Sequence, residues 1–227
     1  MRAERFRLRF RHYRDSFAKR WARIRQHILQ PAPLSGVWWL TLAVLWAEMW
    51  GIGESYETLH ELLKRSTRPL TPHERAVAVS VFGESLQYDR ILIDEAARIG
   101  CRKGGFAYVS FYLVNTWGRM TDSHLLHELM HVWQYERVGA SYMVRAVQAQ
   151  HSPQGYNYGG ITALREQQIA GFGAFNFEQQ ADIVCDYYRL RTGQRPQWGD
   201  ATAADLPVYA AYMATLRLSF GTKTAAV

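Results

Sequence analysis

The sequence predicts an α+β fold, in which a mostly helical domain with a small β-sheet is preceded by N-terminal helices. Apolar residues recur at helical spacing in residues 1–30 and 122–137, and a helix-start signature stands at residues 71–74. β-rich runs at residues 89–94 and 106–114 are the best strand candidates. A chain of 227 residues can bury one sizeable core and still carry an appendage.

Residues 1–30 are predicted to form a basic amphipathic helix. Its apolar members recur every three or four positions: Phe6, Phe10, Tyr13, Phe17, Trp21, Ile24 and Ile28. Residues 1–29 hold ten Lys and Arg against two acids, whereas residues 30–227 hold 17 against 18, so the net charge of +7 belongs to the N-terminus. This combination suits the headgroup layer of an anionic membrane. Nucleic-acid binding would use the same charge and is the less favoured partner. A helix docked on the domain is the third interpretation.

Residues 34–53 are predicted to form an apolar helix, after Pro31 and Pro33 end the first one. The run contains one charge, Glu48, and is close to the roughly 20 residues that a membrane span needs. Tryptophans towards its ends and arginines before it favour a single span with the N-terminus in the cytoplasm. A buried core helix in a soluble cytoplasmic protein is the alternative. We expect residues 1–52 to contact a membrane, because both segments favour it.

Residues 54–69 are predicted to form a linking helix that ends at a domain boundary. Residues 70–220 are predicted to form the main domain. Thr71 and Glu74 form a capping box with Pro72 at the first helical position, and the helix is expected to end at Gly83. A last helix is predicted from about residue 201 to 219, packed over the metal-binding helices described next, with an unstructured tail at 221–227. Cys101 and Cys185 lack zinc-finger spacing and are expected to be buried thiols rather than a disulfide.

The sequence His127-Glu-Leu-Met-His131 carries the clearest chemical signal. Two histidines four residues apart share one helix face and can hold one metal ion, with Glu128 placed to take a proton from water. The predicted helix runs from about residue 122 to 137, is capped by Asp122 or Ser123, and is closed by Gly139. Histidines that serve only as surface or core polar groups are the alternative.

A second helix is predicted to start at Asn176, with Gln179 at its third position. Glu178 and Asp182 are four residues apart and share a face. One carboxylate can bind the metal while the other hydrogen-bonds the far nitrogen of a ligating histidine. Alternatively, Glu178 is a solvated carboxylate that the helix dipole favours.

The pattern His-Glu-x-x-His followed by Glu-x-x-x-Asp resembles the gluzincin metallopeptidases, of which thermolysin is the familiar member. The run His-Glu-Leu-Met-His-Val-Trp-Gln is similar to small zinc-peptidase-like domains of bacterial toxin and injection-system proteins. The resemblance covers about residues 70–190, and its firm part is the two helices. It implies a zincin-like domain that binds Zn²⁺ through His127, His131 and Glu178, with Glu128 as general base and Asp182 behind a ligand. It also implies that a sheet edge at 106–114 binds an extended substrate.

The chain departs from the gluzincin pattern in having no histidine after residue 151 to stabilise an oxyanion. His151, Tyr156 and Tyr158, in a glycine-rich loop between the two helices, are the candidates for that role. Covering the edge of the core is the alternative for these residues. His124 is expected to be a helix-start polar group, because a fourth protein ligand would close the catalytic position.

The sequence therefore predicts a zinc metallopeptidase acting on a peptide or protein substrate. A non-catalytic zinc-stabilised module that binds a membrane or a protein is the alternative. A basic membrane- or nucleic-acid-binding protein with an accidental motif is a third hypothesis.

Overall fold

A computed structural model describes residues 2–30, 35–64, 66–99 and 101–218. Pro31 and Pro33, which are predicted to end the first helix, lie outside these residues. The predicted tail at 221–227 lies outside them as well. In chain order the elements are α1 (Arg2–Leu29), α2 (Gly36–Met49), α3 (Ile52–Leu63), β1 (Thr67–Pro69), α4 (Pro72–Phe82), β2 (Leu92–Asp94), α5 (Cys101–Gly104), β3 (Tyr108–Ser110), β4 (Leu113–Asn115), α6 (Asp122–Val138), α7 (Ser141–Gln150), α8 (Gly160–Glu166), α9 (Phe177–Arg191) and α10 (Leu206–Leu218). The α+β prediction, mostly helical with a small sheet, is confirmed.

The chain forms two compact units. Unit one comprises residues 1–69, 89–119 and 134–145, and unit two comprises residues 70–88, 120–133 and 146–227. Unit one therefore contains the N-terminal helices and the sheet. Unit two contains α4, α8, α9 and α10 and the part of α6 that carries the two motif histidines.

Helix α1 is held in unit one by ion pairs more than by its aromatic residues. We call the buried and half-buried charged side chains there the arginine–glutamate cluster; its members are Arg9, Arg20, Arg23, Arg90, Glu48, Glu54, Glu57 and Glu61. Arg20, 1% exposed, donates to the Glu54 carboxylate and to the carbonyl of Glu48. A small apolar cluster of Ile24, Leu45 and Met49 completes the contact between α1 and α2.

The predicted apolar helix at 34–53 is shorter than expected. Helix α2 ends at Met49, because Gly51 adopts a left-handed conformation (φ 71°) and α3 then begins at Ile52. Glu48 is buried, pairs with Arg23 at 2.7 Å and accepts the backbone N–H of Ala140 at 2.9 Å. Among the described residues, no helix combines the length and the apolar character that a membrane span requires.

Four short strands form a mixed sheet in the order β1-β2-β4-β3. β2 and β4 are parallel and fully buried, while β1 and β3 pair antiparallel at the edges. The predicted strand at 106–114 is in fact a hairpin, whose turn places Phe111 at φ 63°. The Phe111 ring packs against Gly53, where an added Cβ would lie 2.9 Å from it. The predicted strand at 89–94 is confirmed only for Leu92–Asp94.

The end of α6 receives cations from α1. Arg23 donates to the carbonyls of Glu136 and Arg137 at 3.1 and 3.2 Å, and Lys19 donates to the carbonyl of Glu136 at 3.1 Å. Gly139 closes the helix at φ 68°, as predicted.

Unit two is built around a helical core. Leu125, Leu126, Leu129 and Met130 on α6 are fully buried. The capping box of α4 forms between Thr71 and Glu74, as predicted. Helix α10 packs against α9, α4 and α8, and it begins at Leu206 after a 3₁₀ turn at 203–205 rather than at residue 201. Both cysteines are free and buried, as expected.

Candidate metal centre

Helix α6 presents His127, Glu128 and His131 from its middle turns. The helix begins at Asp122, so the predicted caps Asp122 and Ser123 lie inside it, and the cap is Thr121, whose hydroxyl accepts the N–H of His124 at 3.3 Å. The apolar face of α6 packs in the core, and this fixes the direction in which the opposite face projects.

Helix α9 presents the two carboxylates. Asn176 caps it and exchanges hydrogen bonds with Gln179 at 2.9 and 3.0 Å, as predicted. Glu178 and Asp182 are both buried rather than solvated. A fully buried carboxylate at a helix start needs a compensating cation. The alternative that Glu178 is a solvated carboxylate is therefore excluded.

The described residues bring His127, His131 and Glu178 together. The Oε2 atom of Glu178 lies 3.1 Å from Nε2 of His127 and 3.4 Å from Nε2 of His131, and one ligand atom from each residue lies within 4.8 Å of the others. Tetrahedral ligands about 2.0–2.1 Å from a zinc ion are separated by roughly 3.3 Å. The two imidazoles and the carboxylate therefore fit a divalent metal of the zinc type.

Electrostatics also favour a cation at this position. Burial opposes charge on His127, but its hydrogen bonds with Asp182, Cys185 and Glu178 outweigh burial and raise its pKa well above 6.5. Burial raises the pKa of Glu178, but the two histidines lower it further, so it stays ionised. In the metal-free site, protons on the imidazoles balance the carboxylates, and a metal ion would replace them.

Asp182 orients His127. Its Oδ1 atom accepts the Nδ1–H of His127 at 2.9 Å, which leaves Nε2 facing Glu178. Its other oxygen accepts the indole N–H of Trp198 at 2.5 Å. Asp186, one turn further along α9, accepts the backbone N–H groups of Gln197 and Trp198 at 2.6 and 3.0 Å, so α9 also positions the loop that supports Asp182.

Glu128 is the carboxylate available for proton transfer. It is 3% exposed, and its Oε2 atom is buried without a hydrogen-bond partner among the described residues. Its Oε1 atom lies 3.4 Å from Nε2 of the partly exposed His124. Since a buried carboxylate oxygen is costly to leave unpaired, this atom is suited to accept a proton from water or substrate.

Among the described residues, the most exposed side chains at the cluster are His124, Tyr156 and Gln150, whereas His127 is only slightly exposed. The Tyr156 ring lies 5.9 Å from the His127 ring, and burial together with Glu178 raises the pKa of its hydroxyl to about 12. The hydroxyl is therefore protonated at neutral pH and can donate. Gln150 donates to Oε1 of Glu178 at 2.9 Å. These side chains mark the side of the cluster that faces solvent.

The other two candidates of the glycine-rich loop are occupied elsewhere. Tyr158 is 3% exposed; its hydroxyl donates to Asp186 at 2.8 Å and hydrogen-bonds Tyr209 at 2.7 Å. It belongs to a buried network and has no free proton for an oxyanion. His151 is exposed, and its Nδ1–H donates to the carbonyl of Val147 at 2.8 Å. Of the three candidates, the structure brings Tyr156 to the cluster.

A second possible donor group consists of His127, Asp182 and Cys185. It shares His127 with the first group, and Asp182 contacts the Nδ1 side of that ring. Burial raises the pKa of the Cys185 thiol, and its Sγ donates to the carbonyl of Ser123 at 2.9 Å. This group could bind a metal only if the thiol lost that proton and Asp182 gave up its hydrogen bond to the His127 ring.

No protein-family model matches the chain, and no curated protein or solved structure matches it either. The gluzincin resemblance therefore rests on the two-helix pattern and stays a prediction.

Proposed function

We propose that this chain is a zinc-dependent metallopeptidase that hydrolyses a peptide bond. The observation that carries the proposal is the convergence of two imidazole nitrogens and a buried carboxylate beside a second carboxylate with an unpartnered oxygen. The ligands would be His127, His131 and Glu178. With Zn²⁺ bound, the chemistry supplied is Lewis acidity, which polarises a carbonyl and makes water more acidic.

The side chains of the site have separate roles in the proposed reaction. Glu128 accepts a proton from the attacking water at Oε2 and returns it to the leaving nitrogen. The Tyr156 hydroxyl donates a hydrogen bond to the oxygen of the scissile carbonyl. Asp182 keeps the proton of His127 on Nδ1, so that Nε2 remains available as a ligand.

The preference for a peptide bond comes from the sequence resemblance. The geometry itself would serve any amide whose carbonyl reaches the partly exposed side of the cluster beside Tyr156. A non-catalytic zinc module is the second candidate, because all three ligands are largely buried.

The first test measures zinc and peptide hydrolysis in the full-length protein and its Glu178→Ala and Glu128→Gln variants. We expect about one Zn²⁺ per chain in the parent and clearly weaker retention in Glu178→Ala. Glu128→Gln should retain zinc and lose roughly 10²–10⁴-fold in rate on a mixed peptide substrate.

The possible outcomes separate the hypotheses. A well-folded parent that binds no zinc, even after reloading, excludes the enzyme proposal. Zinc binding with equal activity in parent and Glu128→Gln would contradict the role of Glu128. Zinc that stabilises the fold without hydrolysis in either protein would support the non-catalytic module.

A further inference from the structure

Helix α1 packs on the rest of unit one largely through charged side chains, and most of its aromatic residues lie on the neighbouring face of the helix. Arg9 pairs with Glu57 and Glu61 at 3.3 and 2.6 Å, and Arg20 pairs with Glu54. These arginines are 6% and 1% exposed. The charged face is therefore used for folding, and the aromatic face is left for another purpose.

The aromatic face of α1 projects largely into solvent. The exposed fractions are 57% for Phe6, 63% for Phe10, 48% for Phe17, 50% for Trp21 and 51% for Ile28. Successive members of this set are four or seven positions apart and form one stripe along the helix, which we call the α1 stripe. Leaving this much apolar surface in water is costly, which marks it as an interaction surface.

Helix α2 extends the α1 stripe. The rings of Trp21 and Trp46 meet edge to face with centroids 6.1 Å apart, and Trp46 is itself exposed. Trp39 lies seven residues before Trp46 and Trp50, the C-cap of α2, lies four after it, so all three are on one side of α2. Trp39 is 56% exposed and Trp50 is 77% exposed. The surface therefore contains several tryptophans, which favour the boundary between water and lipid.

Exposed arginines border this surface. Arg7 and Arg25 each follow an apolar position of α1 by one residue, and Arg11 lies one turn after Arg7. All three arginines are exposed. Unlike Arg9 and Arg20, they do not take part in the arginine–glutamate cluster. The surface combines large apolar groups with cations that complement negative headgroups.

We propose that the face formed by the α1 stripe, Trp39, Trp46 and Trp50 binds the surface of an anionic phospholipid bilayer, with α1 parallel to the membrane plane. From Phe6 to Ile28 the α1 stripe is about 33 Å long. A nucleic acid would satisfy the arginines but leave the phenylalanines in water. The bilayer satisfies both, because phosphates lie above the acyl chains.

The test is co-sedimentation of the full-length protein with vesicles of phosphatidylcholine alone or mixed with phosphatidylglycerol. We expect binding to the mixed vesicles, weakened by salt, and a blue shift of tryptophan fluorescence. The triple variant Phe10→Ser/Phe17→Ser/Trp21→Ser should abolish the binding. Arg7→Gln/Arg11→Gln/Arg25→Gln should weaken it roughly a hundredfold, at about fivefold per arginine.

A matched control removes the same charge elsewhere. Arg98→Gln/Arg119→Gln/Arg195→Gln replaces three exposed arginines outside α1 and should retain most of the binding. Circular dichroism shows whether each variant is folded, and since every substituted side chain is exposed, all should be. Failure of the parent to bind mixed vesicles, equal loss in the control triple, or a self-associated dimer whose tryptophans are already shielded would each overturn the proposal. Binding to duplex DNA but not to vesicles would overturn it as well.

Discussion

The arginine–glutamate cluster of unit one and the histidine–carboxylate cluster of unit two both bury carboxylates, but different cations balance them. Glu54 is paired with the buried Arg20, whereas Glu178 faces two imidazoles. Arginine cannot lose its proton in a protein, so Glu54 is compensated permanently. Histidine can lose its proton, so the compensation of Glu178 can be transferred to a metal ion.

This difference separates a charge cluster that only stabilises the fold from one whose charge can be exchanged for a bound cation. In unit one the carboxylates of α3 pair with arginines of α1, which keep their charge. In unit two the Nε2 atoms of His127 and His131 face the same carboxylate, and Asp182 already holds the opposite nitrogen of His127. Burial alone would not distinguish the two clusters, but the pKa of the partner does.

The largest expected effect comes from removing one partner of the permanent pair. Arg20→Met leaves the Glu54 carboxylate and the Glu48 carbonyl without their donor and should lower the free energy of unfolding by about 3–5 kcal/mol. Urea denaturation measures the change. The double variant Arg20→Met/Glu54→Leu should recover most of it, and Arg14→Met on the solvent side should have almost no effect. A loss in Arg20→Met as small as that in Arg14→Met would show that the pair does not hold α1.

Acid should separate the two clusters. Burial raises the pKa of Glu54, but the hydrogen bonds and charges of His12 and Arg20 lower it from 4.5 to about 2. Ionised Glu54 therefore stabilises the folded state by roughly 3 kcal/mol above pH 4.5. This contribution to the free energy of unfolding is lost as the pH falls towards 2.

Zinc should be released at higher pH, because the pKa of His127 is above 6.5 and protons compete with the metal there. Following zinc with a coloured chelator and unfolding by circular dichroism during an acid titration checks the order of events. In Glu54→Gln the slope of stability between pH 4.5 and 2 should become smaller, while zinc release stays where it was. Simultaneous zinc release and unfolding in the parent would contradict the distinction between the clusters.

The smallest effect is expected from Trp198, which donates a hydrogen bond to Asp182 next to the proposed metal ligands. Trp198→Phe keeps an aromatic ring but removes the N–H that Asp182 accepts, so zinc affinity should fall roughly tenfold with little change in stability. Competition with a chelator of known affinity measures this. Trp117→Phe, at an exposed tryptophan of unit one, is the matched control. Unchanged affinity in Trp198→Phe would mean that the indole does not contribute to holding Asp182.

The parts of the structure that local side-chain chemistry decides could be predicted from the sequence. The capping boxes at Thr71 and Asn176 each satisfy backbone N–H groups within four residues, and both form as expected. The hairpin turn at Phe111 could not be predicted, because it lacks glycine, proline or asparagine and depends on packing against Gly53, far away in the sequence.

The candidate site was predictable where a motif fixes helical spacing and unpredictable where the contacts are tertiary. Gln150 and Trp198 contact Glu178 and Asp182 from segments with no chemical signature of their own. The docking of α1 did have a signal. Glu54, Glu57 and Glu61 are spaced for one face of α3, and together they match the buried arginines.

The contact between α1 and the end of α6 decides how the protein can be shortened. The last carbonyls of a helix carry partial negative charge, and Lys19 and Arg23 stabilise that end of the α6 dipole from another helix. A chain that begins after residue 66 would lose both cations and expose the C-terminal turn of the helix that carries His127 and His131. Residues 1–30 therefore stabilise the C-terminal end of the motif helix, and a shortened chain meant to keep the candidate metal centre should include them.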